Sequence, residues 1–261
     1  MTRLMTWNVH GHLSDAVMAA IAAEKPDLLV LTECPQPSPN QAIAMGMDPV
    51  FRSWRGHGRR GVSVMAAGNV LLSIRLEQAT VPDGFTAGPD SPAKEAALPW
   101  LEAVDVTLPD STKFALIAAW PSNRERFRPL TAALQSKRWQ EWIAGRKLVV
   151  AGDFNNHWRW DTKAGASDPR SHALTDALLL ERGSVSAFHR SHGVAKGDQV
   201  AEPPTMWTAY DPAKGFHIDY VYAPEEWIPT DPAAVRVGTH DSFAATRLSD
   251  HAPVIVDLQT V

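Results

Sequence analysis

Asp153 and Asn155 stand one residue apart, directly after the apolar run Leu148–Ala151, in the stretch KLVVAGDFNN. A run of that kind fits a strand buried on both faces. Gly152 lets the backbone turn or approach a neighbour closely. If the strand continues through Phe154, both polar side chains point to one side of the sheet. A carboxylate and a carboxamide aimed together from a buried strand end cost desolvation free energy unless something occupies them, and a phosphate, a metal ion or a held water would do so. The same residues also suit an Asx turn that closes the strand. Other polar side chains occupy comparable places. Asn8 ends RLMTWN, Glu33 ends LLVLTE, and Asp250 with His251 precede the apolar run that closes the chain. Asp219 lies in the aromatic run FHIDYVY, where an acidic residue breaks strand propensity and so marks a candidate functional position.

The elements that must position these residues follow from the pattern. Arg3–Asn8 is expected to be a strand, followed by a helix that Ser14 caps and that stops before Pro26. A second strand, Leu28–Leu31, then completes an α/β unit with Asn8 and Glu33 at one sheet edge. Arg52, Arg55, Arg59 and Arg60, interleaved with Trp54 and glycines, suggest a basic loop. Such a loop either clamps phosphate or is simply solvated. Gly61–Ala67 and Asn69–Glu77 are expected strands, residues 82–99 an exposed connection, and Leu101–Leu108 with Lys113–Trp120 a hairpin. One helix is expected from Pro129 to Ala144 and another over Ser171–Glu181. Residues 183–215 read as loop-rich without zinc-ligand spacing, Phe216–Tyr222 as a strand with Asp219 in its middle, and Ala252–Leu258 as the last strand.

The 261 residues are 44% hydrophobic and 21% charged, with net charge −4 and one cysteine, Cys34. That excludes an intrachain disulfide and a cysteine zinc cluster, and no overall basic field advertises nucleic acid. A bound divalent cation and local arginines can still reverse the sign at a site. No charged-then-apolar leader and no long apolar span is visible, so a cytoplasmic protein without membrane contact is expected. The polar strand ends run the length of the chain, which argues for one domain over residues 1–261.

Read in order, TWNVHG, LTE, AGDFN, HIDYVY and SDHAPV resemble the motifs of the endonuclease/exonuclease/phosphatase superfamily, over residues 6–254. DNase I-like nucleases, abasic-site endonucleases, inositol polyphosphate 5-phosphatases and neutral sphingomyelinases belong to it. The resemblance implies an α/β fold, a four-layer α/β/β/α sandwich of two packed mixed sheets, with the site at one end. It implies hydrolysis of phosphoester bonds with Mg²⁺, with Mn²⁺ as a substitute. Carried over to this chain, Glu33 looks like the principal metal ligand with Asn8 beside it, and Asp250 like a further metal-side carboxylate. Asp153 looks like the group that orients or deprotonates water, Asn155 like a donor to a phosphate oxygen, and Asp219 with His251 like an Asp–His pair. Hard-cation chemistry, an aligned water and a carboxylate-held imidazole suit that reaction.

One position departs from the pattern. Many members carry a histidine, or a tyrosine in the abasic-site enzymes, where this chain has Trp120, which cannot accept a hydrogen bond. Asn123 or His217 is then the expected second phosphate contact, and all three residues are candidate substrate neighbours. The substrate stays open between a small phosphoester, enclosed by Trp54, Trp158, Trp160 and His217, and nucleic acid held by arginines at 52–60 and 124–128. A catalytically impaired binding protein on the same fold is the alternative of another class.

Overall fold

A computed structural model describes residues 1–57, 59–74, 101–121, 126–163, 168–198 and 201–260. In chain order the strands are β1 (Thr2–Asn8), β2 (Leu28–Cys34), β3 (Arg52–His57), β4 (Arg60–Ala66), β5 (Leu71–Ile74), β6 (Leu101–Thr107) and β7 (Lys113–Ala119). They continue with β8 (Lys147–Asp153), β9 (Ser184–Ser186), β10 (Met206–Trp207), β11 (Gly215–Phe216), β12 (Asp219–Pro224), β13 (Val235–Val237) and β14 (Val254–Leu258). Six form one mixed sheet in the order β13-β14-β1-β2-β4-β3, and six form a second in the order β5-β6-β7-β8-β12-β9. β1–β2 and β7–β8 run parallel, and the other pairs in both sheets are antiparallel.

The sheets face each other across an apolar layer to which both contribute, including Leu4, Val30, Val64, Leu116, Val149, Val221 and Val254. On the outer face of the first sheet, Met5, Leu29 and Met65 meet Val17 and Ile21 of the helix Asp15–Glu24 and Ala42 of the helix Pro39–Ala44. On the outer face of the second, Ile117, Val150 and Tyr222 meet residues of the helices Arg128–Gln135, Lys137–Ile143 and His172–Leu180. These are the four layers, α/β/β/α, that the sequence led us to expect. Strands covered on both faces explain why β2, β7 and β8 read as near-continuous apolar runs, whereas β1, TRLMTWN, alternates in part.

Several element boundaries differ from the expectation. The arginine stretch 52–60 is a β-hairpin within the first sheet, not a loop. β4 and β5 follow each other in sequence but belong to different sheets. The single helix expected over 129–144 is two, because Ser136 is extended (ψ 135°) and caps the second by accepting from the Trp139 N–H. Residues 183–215 hold the helix Ala187–His192, which the polar composition concealed. The expected connection at 82–99 lies outside the described residues.

Candidate active site

The strand ends that carry Asn8, Glu33, Asp153, Asp219 and His251 meet at one edge of the sandwich. Asn8 closes β1 and is fully buried. Its Nδ2 donates to Asp153 Oδ2 at 2.8 Å and to Glu33 Oε1 at 3.2 Å, so one carboxamide ties the ends of β1, β2 and β8 together. Its Oδ1 accepts from the His10 N–H at 2.9 Å. Glu33 sits in a β-bulge, where the β2–β4 register shifts between Leu31 and Cys34. Its φ is +47°, a left-handed conformation unusual for a glutamate. The bulge turns the carboxylate out of the ladder toward Asn8, a use of backbone strain that bulges beside active sites commonly show.

Asp153 is the last residue of β8 and lies directly opposite Asp219, the first of β12. Asn155 does not reach it by strand alternation, because the strand stops at Asp153 and Asn155 is left-handed at φ +49°. The chain folds back there. The Asn155 N–H donates to Asp153 Oδ1 at 2.8 Å, and its Nδ2 donates to Asp153 Oδ2 at 3.2 Å and to the Pro121 carbonyl at 2.8 Å. Asp153 is buried, and its pKa is raised to about 7, first by desolvation and next by the Asp219 carboxylate, against the opposing pull of His251.

Gly152 makes this corner feasible. Its φ is +146°, and a Cβ there would stand 1.9 Å from the Ala119 carbonyl oxygen of the neighbouring β7. Gly152→Ala is expected to cost about 3 kcal/mol or more of folding stability, since neither backbone can move without breaking the ladder. Urea denaturation checks this, and an unchanged midpoint would refute it.

Asp219 is not in mid-strand as the aromatic run suggested. The N–H groups of Ile218 and Asp219 both donate to the Thr205 hydroxyl, at 3.0 Å each, and the ladder begins only at Asp219. The same hydroxyl donates to Asp219 Oδ2 at 2.7 Å, and His251 Nδ1 lies 2.9 Å from that oxygen. The sequence contains no signal for Thr205, which precedes the short strand β10 and is fully buried. Burial, the largest influence, lowers the His251 pKa; the Asp219 carboxylate, with smaller help from Asp153 and Asp250, outweighs it and raises the value to about 10. The imidazole is therefore held as a cation, with Nε2 on the side of the ring away from Asp219. Three contacts fix the His251 corner against β1. Trp7 Nε1 donates to the His251 carbonyl (2.9 Å), the His251 N–H donates to Ser249 Oγ (3.1 Å), and Ser249 Oγ donates to the Asn8 carbonyl (2.7 Å). Asp250 stands with Oδ1 3.0 Å from His10 Nδ1.

The remaining candidates fall elsewhere. Trp120 is half-buried and packs against the apolar layer between the sheets. His217 is buried against Phe188, His189 and Tyr220, with Nδ1 2.7 Å from the Pro203 carbonyl, and desolvation lowers its pKa to about 4. It is part of the packing beneath β12, as is Trp158, whose ring stacks on His172. Asn123 and Arg124 lie outside the described residues. Of the hairpin arginines, Arg55 pairs with the buried Glu102 and Arg52 donates to the Pro49 carbonyl, whereas Arg60 Nη1 reaches Glu33 Oε2 at 2.7 Å. Arg126 lies over the Trp160 ring.

The arrangement fits a divalent cation. One acidic oxygen, Asp219 Oδ1, is buried without a hydrogen-bond partner, and Asp250 Oδ1, also buried, has the His10 ring nitrogen at 3.0 Å. Among the described residues, Asp153, Asp219 and His251 each offer a ligand atom, all within 4.8 Å of one another. Asp153 and Asp219 bring the carboxylate oxygens that a hard cation prefers, and Asn8 ties the Glu33 carboxylate to the same place.

The family model for the Endonuclease/Exonuclease/phosphatase family matches residues 5–251. The chain belongs to this family. Its members are nucleases and phosphoesterases, hydrolases that act on phosphoester bonds. Solved structures share the fold. They include a humanized Danio rerio TDP2 with 14 mutations (17% identity, 99% of each chain covered, TM-score 0.61). An endonuclease/exonuclease/phosphatase from Bacteroides vulgatus is similar too (15% identity, 100% of this chain and 99% of that one, TM-score 0.61). So is the AP endonuclease LMAP from Leishmania major (16% identity, 97% and 86%, TM-score 0.59). No curated protein matches the chain. No described helix is long and apolar enough to cross a membrane.

Proposed function

We propose that this family member hydrolyses phosphoester bonds with a divalent metal ion, Mg²⁺ or Mn²⁺, using Asp153 to activate water and the Asp219–His251 pair to stabilise developing charge. The observation that carries this reading is the hydrogen-bonded continuity of the site. Asn8 links Glu33 to Asp153, Asp153 faces Asp219, and Asp219 holds His251. Glu33 and Asp250 would supply carboxylate oxygens to the ion, with Asn8 beside them. When bound, the ion neutralises phosphate charge as a Lewis acid. Asp153 accepts the proton of the attacking water, and its raised pKa keeps it near the range where a general base works at neutral pH. Asn155, half-buried beside it, holds the Asp153 carboxylate in place; turned from the Pro121 carbonyl, its Nδ2 would donate to a phosphate oxygen. His251, cationic and anchored through Nδ1, presents Nε2 to the phosphate or leaving oxygen.

The test is hydrolysis of bis-p-nitrophenyl phosphate and p-nitrophenyl phosphate with Mg²⁺, Mn²⁺ or EDTA. Turnover with either metal and none with EDTA is expected, and the preferred ester separates diesterase from monoesterase. No turnover of either ester with either metal would overturn the proposal. Glu33→Gln keeps the side-chain shape but removes the anionic oxygen. It is expected to raise the Mg²⁺ concentration for half-maximal activity at least about tenfold, with the circular dichroism spectrum unchanged. Wild-type rate at limiting Mg²⁺ would remove Glu33 from the metal site.

A further inference from the structure

The hairpin β3–β4 delivers a single guanidinium to the candidate metal carboxylate. Gly56 and Gly61 face each other in its ladder. A Cβ on Gly56 would strike the Trp54 ring at 2.3 Å, and one on Gly61 would strike the Arg55 carbonyl oxygen at 2.3 Å. The close packing of this neck lets Trp54 lie across the hairpin. Trp54 Nε1 donates to the Cys34 carbonyl at 3.0 Å, which pins the hairpin beside the Glu33 bulge. Arg60 then extends over Gly11, where a Cβ would sit 3.1 Å from Arg60 Nε. Its Nη1 meets Glu33 Oε2 at 2.7 Å while Asn8 Nδ2 holds Glu33 Oε1. Glu33 is largely covered, whereas the Arg60 side chain is 51% exposed and can swing outward.

We propose that Arg60 alternates between two anions: it neutralises Glu33 when the metal is absent and binds the substrate's phosphate group when the metal is present. This rests on the reading of Glu33 as a metal ligand. A divalent cation and a guanidinium within contact distance of one carboxylate repel each other, so metal loading releases Arg60. The released fork stays at the rim of the site, where a phosphate group offers the geometry it matches best. Arg60 thus competes with the cation and assists the substrate, and it links metal loading to phosphate capture.

The experiment uses the full chain. Mn²⁺ binding is followed by electron paramagnetic resonance for wild type, Arg60→Gln and Arg60→Lys, with Arg59→Gln, exposed one residue away, as a control for the general field. Inorganic phosphate binding to the Mn²⁺-loaded proteins is followed by calorimetry. Arg60→Gln is expected to tighten Mn²⁺ by roughly threefold to fivefold, the effect of losing one half-exposed ion pair. It is expected to weaken phosphate about tenfold, the effect of losing one charge-assisted hydrogen bond. Arg60→Lys should keep near-wild-type Mn²⁺ affinity and lose part of the phosphate affinity. Arg59→Gln should leave Mn²⁺ binding nearly unchanged. Unchanged or weaker Mn²⁺ binding by Arg60→Gln overturns the alternation and makes Arg60 a support that holds Glu33 in its ligating pose. An equal shift in Arg59→Gln also overturns it. If neither wild type nor Arg60→Gln binds Mn²⁺, the metal site itself is refuted and the alternation with it.

Discussion

Asp219→Asn is expected to lower kcat by roughly 10³- to 10⁴-fold, with KM nearly unchanged, the range seen when a buried carboxylate that orients a catalytic imidazole loses its charge. The isosteric amide fills the same space, so the fold should survive. What changes is the His251 ring. Without the Asp219 charge the cation that burial disfavours is no longer sustained, and the oxygen now shared by Thr205 and Nδ1 becomes a neutral acceptor or an N–H donor. His251→Ala should be as damaging, and the double variant hardly worse than either single one, because the two side chains act as a unit. Steady-state kinetics on all three variants checks this. Losses that add strictly in log kcat would separate the residues functionally and refute the pairing.

Asp153→Asn is expected to reduce kcat by about 10²- to 10⁴-fold, the span of a lost general base, and at the same time to raise the melting temperature of the metal-free protein at pH 8. The two effects have opposite signs for one physical reason. With its folded pKa raised from the ordinary carboxylate value to about 7, Asp153 costs stability that grows as pH rises between those two values and is fully present above about 7, and burial and Asp219 are the causes. The neutral amide does not carry that cost. The stabilisation should shrink as pH falls below about 7, where Asp153 takes up its proton. Thermal melts in EDTA at pH 6 and pH 8 test the sign. A variant less stable than wild type at pH 8 would show that the carboxylate's bonds to Asn8 and Asn155 outweigh its desolvation.

The sequence made the strand ends legible because burial on both faces writes itself as apolar runs, and a polar residue at the end of such a run stands out. Asn8, Glu33, Asp153 and Asp250–His251 were all visible on that ground. The backbone's departures from regularity were not. Nothing in LTEC announces that Glu33 is left-handed, because the bulge is a shift of register against β4, a strand distant in sequence. Nothing in PPTMW marks Thr205 as the hydroxyl that starts β12, since its partners are distant in sequence. His217 illustrates the same limit: it is an expected second phosphate contact because Trp120 cannot accept a hydrogen bond, and its ring packs among Phe188, His189 and Tyr220. The break at Ser136 could have been found, because a serine ahead of a new helical turn is an N-cap signal inside a run otherwise read as continuous.

The candidate site draws on both sheets, and β1 pairs with β14, so residues from Thr2 to Leu258 must meet before it exists. Such a contact closes residues 2–258 into one loop, a slow event relative to the hairpins that form locally. On the ribosome, Asn8, Glu33, Asp153 and Asp219 all emerge before His251, and β14 emerges last. A nascent chain could fold the hairpins β3–β4 and β6–β7 and still lack the imidazole and the edge that seats it. The topology therefore makes completion of the site wait for β14: under the proposed function, a chain whose synthesis has not passed β14 would cut no phosphoester.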